Sequence, residues 1–338
     1  MNPARQPAVA TSRRPSTMAS SHPHDHHGRS VALTTLDEIP VTVFTGINIA
    51  TVDDAVAAVQ RAADEGFPGI WMPQHDTVET LTALAVAGHR VSGVAIGTAV
   101  IPIQARHPYA LAQQALTVAS AAGPGRFTLG IGVSHPPVSE NRYGVSYKEV
   151  VSRCEEVLEA LDGFFSTDRT AKVTGTYTST RANIAMKTDR PGLVVAALGP
   201  RMLQLAGRFA DGTVTWMAGP RTLRQRLVPT ISEAAELAGR PEPRVIVGVS
   251  VCITEQRAEA RERFRPLLTQ LATMPSYHRL LAEEGIDDPV DTVLVGSGAE
   301  VLEGLTKLAA AGATEILADP MGSPEEQSRT RSVLAQLR

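Results

Sequence analysis

Short apolar runs rich in β-branched residues alternate along this chain with longer, Ala-rich stretches whose apolar positions recur every three or four residues. The first run is Val41–Thr45. The stretch 52–65 after it reads as a helix, with Asp53 and Asp54 in the first turn, where carboxylates suit the helix dipole, and Gly66 past its end. The same pattern predicts strands at 69–72, 93–101 and 126–131, and helices at 80–88 and 108–122, the second with Pro108 near its start. Further strands are predicted at 193–197, 211–216, 244–253 and 315–318. Helices at 201–209, 221–238, 255–284 and 300–311 lie between them, the third with candidate breaks at Pro266 and Pro275.

A helix end, a glycine and a buried strand recur together at 62–71, 206–215 and 309–317. The strands are continuous apolar runs, as expected when both faces of a sheet are covered. Eight βα units without a break in register point to a TIM-type (β/α)8 barrel, although the count alone also fits a doubly wound open sheet. Residues 132–192 interrupt the rhythm with a long loop, a predicted helix at 147–165 and a hairpin around Thr174-Gly175-Thr176. Segments that follow a barrel strand lie at the catalytic face, so this insertion after strand four is a candidate lid or pocket wall.

Residues 1–35 are rich in Pro, Ser, Ala, Arg and His and lack periodicity, so a disordered tail is expected before a barrel domain at 36–338. His22, His24, His26 and His27 with Asp25 offer metal-ligand chemistry. A stable site needs ligands held by structure, so the tail is read as polar and no metal is expected. The Arg13–Arg14 pair has no apolar core behind it, which argues against an export signal. Hydrophobic residues are 43%, charged residues 20% and the formal net charge is −3, which gives no attraction to nucleic acid or to an anionic membrane. No apolar run is long enough to span a bilayer. Cys154 and Cys252 are the only cysteines and lie far apart, so a disulfide scaffold is excluded and the cytoplasm is the expected compartment.

Barrel chemistry gathers at the C-terminal strand ends. Here these read Pro73-Gln74-His75-Asp76, Gly97–Pro102, Gly132-Val133-Ser134-His135, Ala196–Arg201 and Trp216–Gly219. They contain no zinc spacing and no GxSxG, Walker A or GxGxxG motif. A Ser134–His75–Asp76 triad can be composed, but no spacing requires it. Small apolar ends with two histidines suit a flat aromatic cofactor lying against backbone better than hydrolysis by paired carboxylates. In Ala197-Leu-Gly-Pro-Arg201 a strand ends and a helix begins. Free N–H groups would point at the mouth and Arg201 would add charge, giving either an anion site or an ordinary βα turn. Trp71 and Trp216 are either pocket walls or buried packing.

Gly97-Thr-Ala-Val-Ile-Pro102, Arg106-His-Pro108, Ala112-Gln-Gln-Ala115, Gly125-Arg-Phe-Thr-Leu-Gly-Ile-Gly132, Val194–Gly207 and Ala210–Trp216, in this order and spacing, resemble the luciferase-like monooxygenase superfamily, in its coenzyme F420-dependent oxidoreductase branch. The resemblance covers about residues 40–320. It implies a barrel with an insertion after strand four and coenzyme F420 at the C-terminal face, with FMN as the alternative. It implies a strand-three bulge behind the cofactor ring, with a non-prolyl cis peptide at Ala99–Val100, and a phosphate at Ala196–Arg201. The implied cofactor contacts are Thr98, Ala99, Val100, Val133, Ser134, Ala196, Ala197, Leu198, Gly199, Pro200, Arg201 and Trp216.

Two positions depart from the pattern. Deazaflavin-dependent dehydrogenases of the superfamily commonly carry Asp-His after strand two, where this chain has Gln74-His75. Some relatives carry a glutamate after strand four, where His135 stands. Reduction of an activated C=C or C=N bond therefore fits better than alcohol oxidation. His75 or His135 would supply or orient a proton, with Gln74 beside them; a structural hydrogen bond is the other role for each histidine. The rival functions are an FMN-dependent monooxygenase and a non-catalytic ligand-binding barrel. A small-molecule substrate and a homodimer are expected.

Overall fold

The first and last strands of the sheet pair with one another, and this closes it. The computed structural model describes residues 35–337. The expected tail, with its His22–His27 cluster, falls outside them apart from Thr35. The barrel strands are β1 (Val41–Phe44), β2 (Gly69–Met72) and β3 (Ala95–Thr98), followed past a two-residue bulge by the short β4 (Ile101–Pro102), and then β5 (Phe127–Gly132). The insertion contributes an antiparallel hairpin, β6 (Thr170–Thr174) and β7 (Ser179–Asn183). The barrel resumes with β8 (Gly192–Ala196), β9 (Gly212–Trp216) and β10 (Arg244–Ile253), and β11 (Leu294–Gly296) precedes the last strand, β12 (Glu315–Pro320). All neighbours pair parallel in the order β1-β2-β3-β5-β8-β9-β10-β12 and back to β1, which excludes the open sheet.

The helices are α1 (Val52–Asp64), α2 (Thr80–Arg90), α3 (Pro108–Ala122), α4 (Val150–Phe165), α5 (Pro200–Phe209), α6 (Pro220–Thr222), α7 (Val228–Leu237), α8 (Arg257–Ala272), α9 (Pro275–Glu284), α10 (Gly298–Ala309) and α11 (Pro324–Leu334). Capping boxes start three of them: Thr51 with Asp54, Ser297 with Glu300 and Ser323 with Glu326. The expected break at Pro266 does not occur. Pro266 is exposed inside α8, and the chain turns instead at Thr273–Met274, where Pro275 opens α9. The strand expected over 93–101 is shorter and interrupted: Gly93 sits in a turn at φ +80°, and the Ala99–Val100 peptide is cis. Strand β11 and helix α11 had no counterpart in the pattern of apolar positions. The first is three residues long, and the second is highly charged.

The barrel is filled rather than hollow. At its N-terminal end Glu315, whose side chain is 6% exposed, accepts from Thr42 Oγ1 (2.8 Å), Trp71 Nε1 (2.9 Å) and Arg244 Nη2 (2.7 Å). Glu315 is the buried member and Arg244 is partly solvated, so losing Thr42 or Trp71 would leave buried polar atoms unpaired, at about 1–3 kcal/mol each. Trp71 therefore belongs to the barrel floor, where it lies over Gly97; a Cβ there would come within 2.4 Å of its ring. Phe44, Val194, Val214, Ile246 and Leu317 pack with Trp71 in one apolar cluster. Arg126 serves the outer shell, donating to the carbonyls of Ala122 (2.5 Å), Val91 (2.7 Å) and Val94 (2.8 Å) and so tying α2, β3 and α3 together.

Candidate active site

Phe44 and Val214 of the apolar cluster around Trp71 line a cavity of about 560 Å³ at the C-terminal mouth. Phe44 and Trp216, with ring centroids 5.3 Å apart, lie at its base. One wall is Ala99 and Val100 at the cis peptide, beside Val133 and Ser134 from the end of β5. Facing strands contribute Ala196, Ala197, Leu198 and Gly199. The insertion supplies Tyr147, Val150 and Val151, as expected of a wall after strand four. The larger part of the cover comes from elsewhere: Leu267, Leu268 and Leu271 of α8, and Ser276, Tyr277 and Arg279 of α9.

His75 and His135 both line this cavity. Burial lowers the pKa of His75; the Asp76 carboxylate opposes that shift and Arg142 adds to it. Asp76 itself is paired with Arg142, so it does not complete a Ser134–His75 triad. Burial alone lowers the pKa of His135, whose ring lies 5.5 Å from that of Tyr277. Burial also pushes the Tyr277 phenol up to about 12. Near neutral pH the site thus offers two uncharged imidazoles and a protonated phenol. The Tyr147 hydroxyl donates to Ser134 O at 3.0 Å and holds the insertion against the end of β5.

Four candidates do not reach the cavity wall. The Gln74 amide is spent on its own loop: Oε1 accepts from Thr80 N and Nε2 donates to His75 O, both at 3.0 Å, so it positions the His75 segment. Thr98 is fully buried, and its hydroxyl exchanges 2.8 Å bonds with Gly130 N and O across β3 and β5. Pro200 and Arg201 are exposed in the first turn of α5, where their contribution is backbone rather than side chain.

Two Gly-Pro turns open helices at this mouth, and they differ. At Gly219-Pro220 the Glu284 carboxylate accepts from Arg221 N (3.3 Å) and Thr222 N (2.5 Å), so an anion of the chain already occupies that helix start. At Gly199-Pro200 no side chain caps α5, and a Cβ on Gly199 would meet nothing within 4 Å. The amides of Arg201 and Met202, in the first turn, are donors that α5 itself cannot satisfy. This end of the cavity can take an anion; the Gly219 end cannot. Arg226 ties the two together, pairing with Glu283 of α9 and donating to Leu198 O.

Asp319, Ser250, Tyr277 and Arg279 also line the cavity but were not among the sequence candidates. Asp319 had a legible signal, since it directly follows the strand expected at 315–318, which the structure extends to Pro320. Ser250 lies mid-strand and had none. Among the described residues no group of His, Cys, Asp and Glu side chains is arranged to hold a metal, and no helix is long and apolar enough to cross a membrane.

A family profile described as luciferase-like monooxygenase matches residues 22–315. A 5,10-methylenetetrahydromethanopterin reductase of Methanolobus tindarius is 25% identical over 231 residues, covering 67% of this chain and 69% of that protein. An F420-dependent secondary alcohol dehydrogenase, solved with an F420-acetone adduct, superposes with a TM-score of 0.75 at 18% identity, over 89% of this chain and 98% of the other. The oxygenating constituent of 3,6-diketocamphane monooxygenase from Pseudomonas putida, solved with FMN, superposes with a TM-score of 0.70 at 17% identity, over 88% of this chain and 97% of the other.

Proposed function

Since the chain belongs to the luciferase-like monooxygenase family, and is therefore an oxidoreductase, we propose that it is a coenzyme F420-dependent reductase acting on an activated C=C or C=N bond of a small molecule. The observation that carries this reading is the apolar cavity at the barrel mouth, with an uncapped helix start at Gly199 and two uncharged histidines in its walls.

The residues fit such a cofactor. Small side chains at Ala99, Val100, Ala196 and Ala197 leave room for a flat ring system, and the first turn of α5 offers N–H groups to a phosphate. When bound, a reduced deazaflavin supplies a hydride, whereas a flavin also reacts with dioxygen. The chain then has to orient the acceptor, exclude water and handle a proton. Leu267, Leu268 and Leu271 of α8 and Tyr277 of α9 give the cavity apolar lining, which favours a low-water environment once a ligand fills it. A neutral imidazole N–H of His75 or His135 polarises the acceptor by hydrogen bonding, and the protonated form releases a proton readily. Because burial lowers both pKa values, the protonated fraction grows only below the ordinary histidine range.

The test is a fluorescence titration of the full chain with both cofactors. The deazaflavin should bind with a dissociation constant of about 1 μM or tighter, roughly 8 kcal/mol of binding free energy, and FMN more weakly. Equal or tighter FMN binding would transfer the chain to the monooxygenase reading. Binding of neither would leave a non-catalytic ligand-binding barrel.

A further inference from the structure

Asp319 is the penultimate residue of β12 at the barrel mouth, where it borders both the cavity described above and an adjoining, more polar groove of about 900 Å³. Its partner across the strand pair is Ser250 of β10, whose hydroxyl donates to Asp319 Oδ2 at 3.1 Å. Among the described residues this is the one hydrogen bond to the carboxyl, and no ion pair reaches it. On the other side β1 brings Phe44, and α8 brings Leu267. The cations of the groove are held by other carboxylates: Arg263 by both oxygens of Glu326 (2.9 and 2.7 Å), and Arg61 and Arg331 by Glu65 (2.8 and 2.6 Å). The remaining titratable groups of the cavity are His75, His135, Tyr147, Tyr277 and Arg279, none of which pairs with Asp319.

Burial pushes the Asp319 carboxyl up to about 6, and the Ser250 bond opposes that shift. At pH 7 it is therefore mostly ionised. A carboxylate beside an apolar cavity without a countercharge is costly, and nothing in the barrel's packing requires one there. The remaining space around it is ligand space. We propose that Asp319 is a recognition site for a positively charged nitrogen, so that the pocket takes protonated amines or iminium groups ahead of neutral or anionic molecules of the same shape. This deepens the function proposed above, on which it rests for the meaning of the site. Of the two acceptor classes it selects the C=N bond and its amine product. An anionic group would meet the like charge of Asp319 and be turned toward the Gly199 end.

Benzylamine, benzyl alcohol and benzoate share a ring and a one-carbon or carboxyl attachment but differ in charge. Each is titrated into the full chain, with and without bound deazaflavin, while tryptophan fluorescence is followed. Trp216 lines the cavity; Trp71, the only other tryptophan, is 3% exposed in the barrel floor, so the change reports occupancy. At pH 7.5 benzylamine should bind at least about tenfold tighter than benzyl alcohol, the usual scale for a hydrogen bond to a charged group. The preference should fade as the pH drops through about 6 and vanish in Asp319→Asn. In Ser250→Ala, which loses the bond favouring the carboxylate, the midpoint should move to higher pH. Equal binding of amine and alcohol, a preference that survives Asp319→Asn, or an unmoved midpoint in Ser250→Ala would each overturn the assignment. If Asp319→Asn fails to fold, the Ser250→Ala midpoint decides. An amine preference without any cofactor binding would retire the deazaflavin reading and keep this one; cofactor binding without the preference would do the reverse.

Discussion

Asp319→Asn should stabilise the protein at neutral pH. The substitution keeps the shape of the side chain, and the amide oxygen can still accept from Ser250. It removes a charge that folding carries out of water. Burial raises the carboxyl from its ordinary 3.8 to about 6, and a displacement of one pH unit is worth about 1.4 kcal/mol, so the ionised group destabilises the fold by about 3 kcal/mol at most. The folded chain holds this proton more tightly than the unfolded chain. The stability it contributes is therefore fully present below pH 3.8, is lost as the pH rises, and is gone above about 6. The gain from Asp319→Asn should follow the inverse course: absent near pH 3.8, about half developed near pH 5 and flat above about 6. Urea unfolding at pH 5 and pH 8 measures it, and a thermal melt at pH 8 should rise by roughly 5 °C for a chain of this size. A variant no more stable than the wild type at pH 8, or a gain of equal size at both pH values, would refute the reasoning, because either result means that the carboxyl is not ionised at a cost in the folded chain.

Gly199→Val places a branched side chain where a Cβ has open space and where φ −94°, ψ 156° suits a β-branched residue, so stability should change by no more than about 1 kcal/mol. Deazaflavin affinity should fall by about tenfold or more through the lost approach to the α5 amides, and an unchanged dissociation constant in a folded variant would put the phosphate elsewhere. His75→Ala should leave cofactor affinity nearly intact and slow single-turnover hydride transfer by roughly 10²–10⁴, with His135→Ala as the control; wild-type rates in His75→Ala would pass the role to His135 or to solvent.

The succession of strands and helices was legible in the order of residues because it depends on local periodicity. Buried parallel strands such as Leu193–Ala196 are apolar throughout, and amphipathic helices such as α1 repeat their apolar positions with the helical turn. Several residues that line the cavity were legible for the same reason. His75, His135 and Gly199 each follow their own strand directly, and barrel closure brings those strand ends to one mouth. What the tertiary structure alone decided are relations between distant residues. Glu315 meets Arg244 across 71 positions, Trp71 across 244 and Thr42 across 273, a cluster that makes Trp71 floor rather than pocket wall. Asp319 meets Ser250 across 69 positions, and Glu284 fills the Gly219 helix start from 62 positions away. The two Gly-Pro turns read alike in sequence, and only the packing of α9 distinguishes the filled one from the open one. Local pattern is set by each residue's own backbone preferences and by its neighbours within a turn or a pleat. Partnerships, burial and the charge a side chain carries are set by whatever the closed barrel brings beside it, and no short stretch of sequence contains that information.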